Sequence, residues 1–111
     1  MELNRGDICT INFNPTKGSE IGKLRPAVIL SEKEDNEILD TVIVIPLSTV
    51  IELNTMPYRV HISSRDKLLK NSDACIYEIR ALSKVRIKEK LAFLTSEEIK
   101  TIQECLCKIV G

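Results

Sequence analysis

Alternating apolar and polar positions predict short β-strands in the first half of the chain. In residues 7–13, apolar Cys9, Ile11 and Phe13 occupy every second position, as in a strand with one buried face. Residues 27–30 and 42–45 are short apolar runs bounded by breakers, which is typical of buried strands. The polar stretch between them, 32–40, predicts a turn at its Asp-Asn pair, residues 35–36.

The second half predicts three more strands and then a change of pattern. Residues 58–62 place Arg59 and His61 on an outward face, while 74–79 and 84–87 are further short candidates. Beyond residue 94 the apolar spacing becomes helical. The apolar stripe of this predicted helix consists of Ile99, Ile102, Leu106 and Ile109.

Both ends of the helix carry recognisable signals. Thr95 and Glu98 have the spacing of a capping box, with Thr95 as N-cap, and Leu94 and Ile99 are spaced for a hydrophobic staple. Gly111 can terminate the helix. Five or six short strands followed by one amphipathic helix predict a mainly β protein with α. The expected architecture is a small antiparallel barrel with the C-terminal helix packed on it, in a single domain over residues 1–111.

The charge balance restricts the choice of partner. Sixteen basic residues match sixteen acidic ones, so the chain lacks the overall positive charge of proteins that grip long nucleic acids. Residues 80–90 hold five basic side chains against Glu89 alone. This segment is either a short nucleic-acid contact or a solvated face.

Composition also bears on location and metal content. No apolar segment approaches the ~20 residues of a membrane span, and no secretion signal is visible. The four cysteines lack CxxC spacing, so we expect reduced thiols in a cytoplasmic protein and neither metal nor cofactor.

The candidate chemistry comes from strand geometry. If residues 27–30 and 42–45 form a hairpin centred on Asn36 and Glu37, paired residue numbers add to 73 and Arg25 lies opposite Ser48. Opposed residues have Cβ atoms ~5 Å apart, so a guanidinium and a hydroxyl would form a cradle for a phosphate diester. A slip in register would separate them.

An ordered set of short motifs covers nearly the whole chain. On this set the chain resembles the MazF/PemK toxin family, and the spacing of the motifs agrees from Arg5 to Ile87. The motifs are Arg5-Gly6-Asp7-Ile8, Pro15, Gly18-Ser19-Glu20, Gly22, Leu24-Arg25-Pro26-Ala27-Val28-Ile29-Leu30, Pro46-Leu47-Ser48, Glu78-Ile79-Arg80 and Arg86-Ile87.

The resemblance implies an SH3-like barrel, usually a homodimer, that cuts single-stranded RNA at short sequences and is blocked by a cognate antitoxin. It implies catalytic roles for Arg25 and for Ser48, which stands where the family has Thr. Thr49 could substitute for Ser48 if the strand end shifts. An acid–base pair of PemK-like members corresponds to Cys75 and Tyr77, so that pair is absent.

The reaction that the resemblance implies is transesterification by the RNA 2′-hydroxyl, which requires no metal to activate water. Arg25 would stabilise the phosphoryl charge. The general base is not identified. Two auxiliary candidates are Glu20 and Glu78, although Glu78 replaces a Gln of the family and brings a negative charge.

Further residues are candidates for RNA contacts. The candidates in residues 17–23, the loop between the first two strands, would close over RNA or simply connect the strands. The candidates in residues 80–86 would extend a basic track. Together the candidates are Lys17, Gly18, Ser19, Lys23, Arg80, Lys84 and Arg86.

Three alternatives remain open. His61 is the only histidine and faces outward, which favours a structural over a catalytic role. The protein could instead be a non-catalytic binder, such as a CcdB-like gyrase inhibitor. It could also be a degenerate family member that binds antitoxin or RNA without cutting.

Overall fold

The computed structural model describes residues 1–13 and 23–111, which form a mainly antiparallel sheet and a C-terminal helix. The strands are β1 (Asp7–Asn12), β2 (Leu24–Ile29), β3 (Thr41–Ser48), β4 (Arg59–Ile62), β5 (Ser72–Cys75), β6 (Arg80–Ser83) and β7 (Ile87–Phe93). The helices are α1 (Lys33–Ile38) and α2 (Ser96–Val110), with single 3-10 turns at Ile76–Glu78 and Lys84–Arg86.

The order of the strands is β4-β5-β3-β2-β1-β7, and β6 also pairs with β3. All pairings are antiparallel. The predicted mainly β fold with a C-terminal helix is confirmed, but among the described strands the sheet does not close into the expected barrel. Strand β3 explains the opening, because its first half pairs with β6 and its last two residues pair with β5.

Apolar side chains form a cluster on each face of the sheet. The larger one includes Ile8, Val28 and Ile45 and is covered by α2 through the buried Ile102. The smaller cluster lies on the other face and includes Cys9, Ile11, Ala27, Ile29 and Val44. Residues in β1 and β2 therefore alternate between two buried environments, which fixes the register of these strands.

The signals predicted for α2 are confirmed. Thr95 is the N-cap, with both hydrogen bonds of the capping box to Glu98 present, and Gly111 is the C-cap at φ 89°. Glu98 has a second function, since its carboxylate binds the Arg65 guanidinium through both oxygens, one at 2.7 Å. This ion pair ties the segment after β4 to the first turn of α2.

The connection between β2 and β3 differs from the predicted turn. Residues 35–36 lie inside α1, and the side chain of Asn36 is buried. Its amide nitrogen donates to the carbonyls of Leu3 at 3.0 Å and Ser31 at 3.1 Å. These long-range hydrogen bonds replace the local ones that favour Asn in a turn.

Two predicted strands were placed wrongly in part. The strand predicted at 74–79 ends at Cys75 and becomes a 3-10 turn. The segment 84–87 is chiefly a second 3-10 turn, capped by the Ser83 hydroxyl, between strands β6 and β7. The Ser83 cap interrupts what would otherwise be a continuous extended run.

Gly6 is the point at which the N-terminal strand, the sheet and α2 approach one another most closely. Its φ is +96°, and a Cβ at this position would lie 2.6 Å from Ile99 Cδ1. Its N–H donates to the Ile29 carbonyl at 2.7 Å, and its carbonyl accepts from Leu94 N–H at 2.8 Å. The positive φ requires glycine here, while a Cβ would only displace the end of the Ile99 side chain.

We predict that Glu98→Gln lowers the free energy of unfolding by about 1 kcal/mol at pH 7, because the ion pair with the partly buried Arg65 is lost. Hydrogen bonding to Arg65 is the main reason that the pKa of Glu98 lies below its ordinary value. The advantage of the native side chain is therefore full above about pH 4.3 and shrinks as the pH falls through the lower folded pKa.

Urea unfolding at several pH values measures this difference. Glu97→Gln is the matched control, because Glu97 lies in the same first helical turn but is exposed. Equal losses in the two variants, or a loss for Glu98→Gln that does not vary with pH, would contradict the assignment.

Candidate functional site

The predicted register between β2 and β3 is observed. Ala27 pairs with Pro46 and Val28 pairs with Ile45, so paired numbers add to 73. Continued to the strand ends, this register sets Arg25 opposite Ser48, and Arg25 Nη2 donates to the adjacent Leu47 carbonyl at 3.2 Å. Both side chains are only partly buried. The Arg25 guanidinium thus reaches the residue before Ser48, at partly accessible ends of β2 and β3.

The ring of Phe13 lies against the guanidinium of Arg25. Its ring centroid lies 5.8 Å from Arg25 Cζ and 4.5 Å from Arg80 Cζ, so two guanidinium groups share one aromatic ring. Phe13 follows β1 directly, and its N–H donates to the Lys23 carbonyl at 3.1 Å. The attraction between each cation and the ring offsets part of the repulsion between the two positive charges.

Ser48 is the last residue of β3, where the chain turns away. Its Oγ accepts from Val50 N–H at 3.1 Å, which leaves the hydroxyl hydrogen free to donate to a ligand. Thr49, the alternative hydroxyl, is exposed just beyond the strand.

A row of polar residues continues from Ser48 across the neighbouring strands. Ser48 pairs with Asp73 of β5, and Asp73 pairs with His61 of β4. Directly opposed residues project from the same face of a sheet. The row therefore runs from Arg25 through Ser48 and Asp73 to His61.

Asp73 is the anchor of this row. Only 2% of its surface is exposed, yet it remains charged because donors surround it. Oδ2 accepts from Glu52 N–H at 2.8 Å and from Arg59 Nη1 at 3.4 Å, and Oδ1 lies 3.3 Å from His61 Nδ1. Burial alone would raise the pKa of Asp73, but these hydrogen bonds and the Arg59 charge outweigh it and lower the pKa.

The positions that lack the acid–base pair of PemK-like members can also be located. Cys75 is buried, and that burial raises the pKa of its thiol, so it is protonated at neutral pH. Tyr77 is exposed and stacks obliquely on Tyr58, with ring centroids 6.2 Å apart. Glu78, an auxiliary candidate, is exposed at the end of the 3-10 turn.

The predicted basic track is only partly assembled. Arg80 lies over Phe13, and Arg86 Nη1 donates to the Asn12 carbonyl at 3.1 Å, so both approach the Arg25 end of the sheet. Lys84 lies beyond the start of β3, roughly 26 Å along that strand from Ser48, and its Nζ donates to the Asn36 carbonyl at 2.6 Å. The structure thus does not bring Lys84 together with the others.

Several predicted residues lie outside the described part of the chain. Lys23 is described and exposed. Those outside are Pro15, Lys17, Gly18, Ser19, Glu20 and Gly22. Their predicted roles remain predictions.

The sequence did not identify two residues that shape the site, Phe13 and Asp73. Alternation alone could have suggested that Phe13 shares a face with Arg25, since Ile11 pairs with Arg25 across β1 and β2. Asp73 gave no local signal, because its partners come from β4 and from the loop after β3. Among the described residues, no three His, Cys, Asp or Glu side chains converge closely enough to hold a metal ion.

The described helices include none that is long and apolar enough to cross a membrane. The cysteines Cys9, Cys75, Cys105 and Cys107 are free thiols, and all but Cys107 are buried.

Comparison with known proteins gives consistent results. Residues 4–110 match the family model described as PemK-like, MazF-like toxin of type II toxin–antitoxin system. The chain is 35% identical over 105 residues to the endoribonuclease MazF of Staphylococcus saprophyticus, covering 94% of this chain and 88% of that protein.

Solved structures share the fold at lower identity. A MazE–MazF structure from Deinococcus radiodurans superposes with a TM-score of 0.82 at 20% identity, covering 100% of this chain and 97% of the other. The Mycobacterium tuberculosis toxin MazF-mt6 gives 0.78 at 15% identity, covering 94% and 95%. A mycobacterial endoribonuclease in complex with its cognate antitoxin gives 0.74 at 19% identity, covering 99% and 94%.

We predict that Asp73→Asn lowers the free energy of unfolding by about 2 kcal/mol at pH 7, because a buried, charge-assisted hydrogen-bond network loses its acceptor. The pKa of Asp73 is lowered, so this contribution is complete above about pH 3.9 and declines as the pH falls through the folded value.

Urea titrations of both proteins at neutral and acid pH measure the difference. Asp40→Asn, at an exposed position before β3, is the control and should leave stability within about 0.5 kcal/mol of the native value. A similarly small effect at Asp73 would mean that its carboxylate does not organise the row.

Proposed function

The chain belongs to the family of PemK-like and MazF-like toxins of type II toxin–antitoxin systems, and we propose that it is a toxin endoribonuclease that cuts single-stranded RNA at short sequences. The observation that carries the proposal is the Arg25 guanidinium bonded to the Leu47 carbonyl, with a β2–β3 register that, when continued, sets Arg25 opposite Ser48. The 35% identity to a protein named as an endoribonuclease supports the same activity.

The proposed reaction is internal transesterification. The 2′-oxygen of a ribose attacks the adjacent phosphorus and loses its proton, while the bond from phosphorus to the 5′-oxygen of the next nucleotide breaks. The products are a 2′,3′-cyclic phosphate and a 5′-hydroxyl, which takes up a proton. Because the RNA supplies its own nucleophile, the reaction does not require a metal-activated water.

Charge stabilisation is the main contribution of the protein in this reaction. The Arg25 guanidinium offers paired N–H donors to the phosphoryl oxygens, and the Ser48 hydroxyl adds a neutral donor. The shared Phe13 ring restrains Arg25, so less reorganisation is needed when negative charge grows on the phosphate. An arginine stays protonated and does not serve as the base.

Glu20 and Glu78 are candidates for the general base. Glu78 lies on the same 3-10 turn that leads to Arg80. The buried Cys75 thiol is a poor alternative, because its raised pKa keeps it protonated.

We also propose the partners that accompany this function: single-stranded RNA, a cognate antitoxin, and a second copy of the chain in a cytoplasmic homodimer. Two solved relatives, one in complex with its cognate antitoxin and one a MazE–MazF structure, support the proposed antitoxin partner. Exposed apolar side chains near the row offer a surface for such contacts. They are Leu53, Met56, Tyr58 and Tyr77.

We predict that Arg25→Ala reduces cleavage of a long RNA about 100- to 1000-fold, as expected when a donor to a developing oxyanion is removed. Ser48→Ala should cost less, because the hydroxyl is a single neutral donor, and Ser48→Thr should retain activity. The assay uses purified protein in EDTA, with the new RNA ends mapped chemically for cyclic phosphate.

Thermal unfolding of each variant checks that the fold is intact. Thr41→Ala, at the exposed start of β3, is the matched control and should cleave normally. Intact RNA with native protein would contradict the nuclease. Inhibited gyrase would then favour a CcdB-like binder, and antitoxin binding alone a degenerate member.

We predict that Phe13→Leu raises the KM for RNA about fivefold, because each of two guanidinium groups loses a cation–π contact worth about 0.5–1 kcal/mol. Phe13→Tyr keeps the ring and should behave as the native protein. Steady-state cleavage of a short fluorescent RNA gives both KM and kcat.

Phe93→Leu provides the control, because Phe93 is the only other phenylalanine and is exposed. Equal effects of the two leucine substitutions would show that the Phe13 ring does not position the arginines.

A further inference from the structure

A cavity of about 370 Å³ opens at the far end of the polar row. It is lined by the loop of residues 51–56 together with Arg59, His61 and Asp73. Its volume lies at the small end of the range for ligand pockets in proteins, which suits a planar heterocycle better than a larger ligand. Neither Arg25 nor Ser48 lines this cavity. The cavity is therefore distinct from the cradle, as we call the proposed phosphate site of these two residues.

The row fixes the distance between the cavity and the cradle. His61 and Ser48 are both paired to Asp73, on either side of β5, and adjacent strands are about 4.8 Å apart. The backbones at His61 and Ser48 are therefore about 10 Å apart. A nucleotide whose phosphate lies at the cradle can span this distance by turning a neighbouring base away from the backbone, as single-stranded RNA does on proteins.

The walls and floor of the cavity have different chemistry. The walls include Ile51, Leu53 and Met56, whose exposed fractions are 38%, 79% and 60%. Such apolar surfaces gain from covering the face of a base. The floor is polar and rigid, since Arg59 Nη1 bonds to the Val50 carbonyl at 2.8 Å as well as to Asp73.

His61 presents one defined atom to this space. Its Nδ1 faces Asp73 Oδ1 at 3.3 Å, and a carboxylate can only accept, so Nδ1 carries the hydrogen. In the neutral ring, Nε2 is then an acceptor. The side chain is 51% exposed, which leaves Nε2 available. Because Asp73 lies between His61 and Ser48, the histidine is not placed to exchange a proton with that hydroxyl.

We propose that this cavity binds a nucleobase of the RNA next to the cleaved bond, and that His61, oriented by Asp73, accepts a hydrogen bond from an N–H on the edge of that base. The proposal rests on the proposed nuclease function and adds a residue that determines sequence preference. Arg25 and Ser48 act on the phosphate, while His61 reads a neighbouring base.

The test is cleavage of an RNA pool with randomised sequence, followed by sequencing of the new ends. His61→Ala should reduce the preference at one position beside the cut about fivefold to tenfold, as for the loss of one hydrogen bond. Total cleavage should stay within a few fold of the native level. His61→Gln keeps both a donor and an acceptor, so it should retain part of the preference.

Met56→Ala provides an independent variant, because it removes part of a wall without touching the Asp73 network. It should weaken the preference at the same position. Glu89→Gln, on the exposed part of β7, is the control and should cut with the native sequence profile.

Three results would overturn the base site. An unchanged profile in both His61→Ala and Met56→Ala would refute it while the nuclease stands. A uniform loss of cutting at all sequences in His61→Ala would assign the residue to catalysis or stability instead. RNA left intact by the native protein would refute the nuclease and the base site together.

Discussion

The register between β2 and β3 is the constraint on which the site depends. Both strands have buried side chains on each face, so a slip of one residue would exchange two unlike sets of apolar residues. That cost holds Ala27 opposite Pro46 and carries Arg25 to the end of β3. The position of the guanidinium is thus supported by core packing two residues away, together with the Phe13 ring.

The sequence predicted the elements whose signals are local. The α2 capping box and apolar stripe are confirmed, and so is the register of β2 against β3. Predictions failed where distant contacts decide the outcome. Asn36 favours a turn by its local preference, yet its backbone N–H bonds within α1 and its buried amide donates to the distant Leu3 carbonyl. Asp73 depends on donors from β4 and from the loop after β3, so no pattern along the chain could have identified it.

Arg25 at one end of the row and Asp73 within it have different surroundings, and this separates their roles. Arg25 stands over an aromatic ring and keeps donors available at an open edge. Asp73 is buried and accepts hydrogen bonds from its neighbours, so it can orient them but is not accessible to a ligand directly. In this arrangement Arg25 is the group available to a charged ligand, whereas Asp73 orients the neighbouring side chains.

The contacts of Gly6 have a consequence for biosynthesis. This residue joins the beginning of the sheet to Leu94 and Ile99, and β1 pairs along its length with β7. The first strand can therefore acquire β7 as its second neighbour only after all the segments between them have been synthesised. Until residues 87–93 have emerged, β1 lacks the strand that pairs with its outer side, so the sheet is completed late in synthesis.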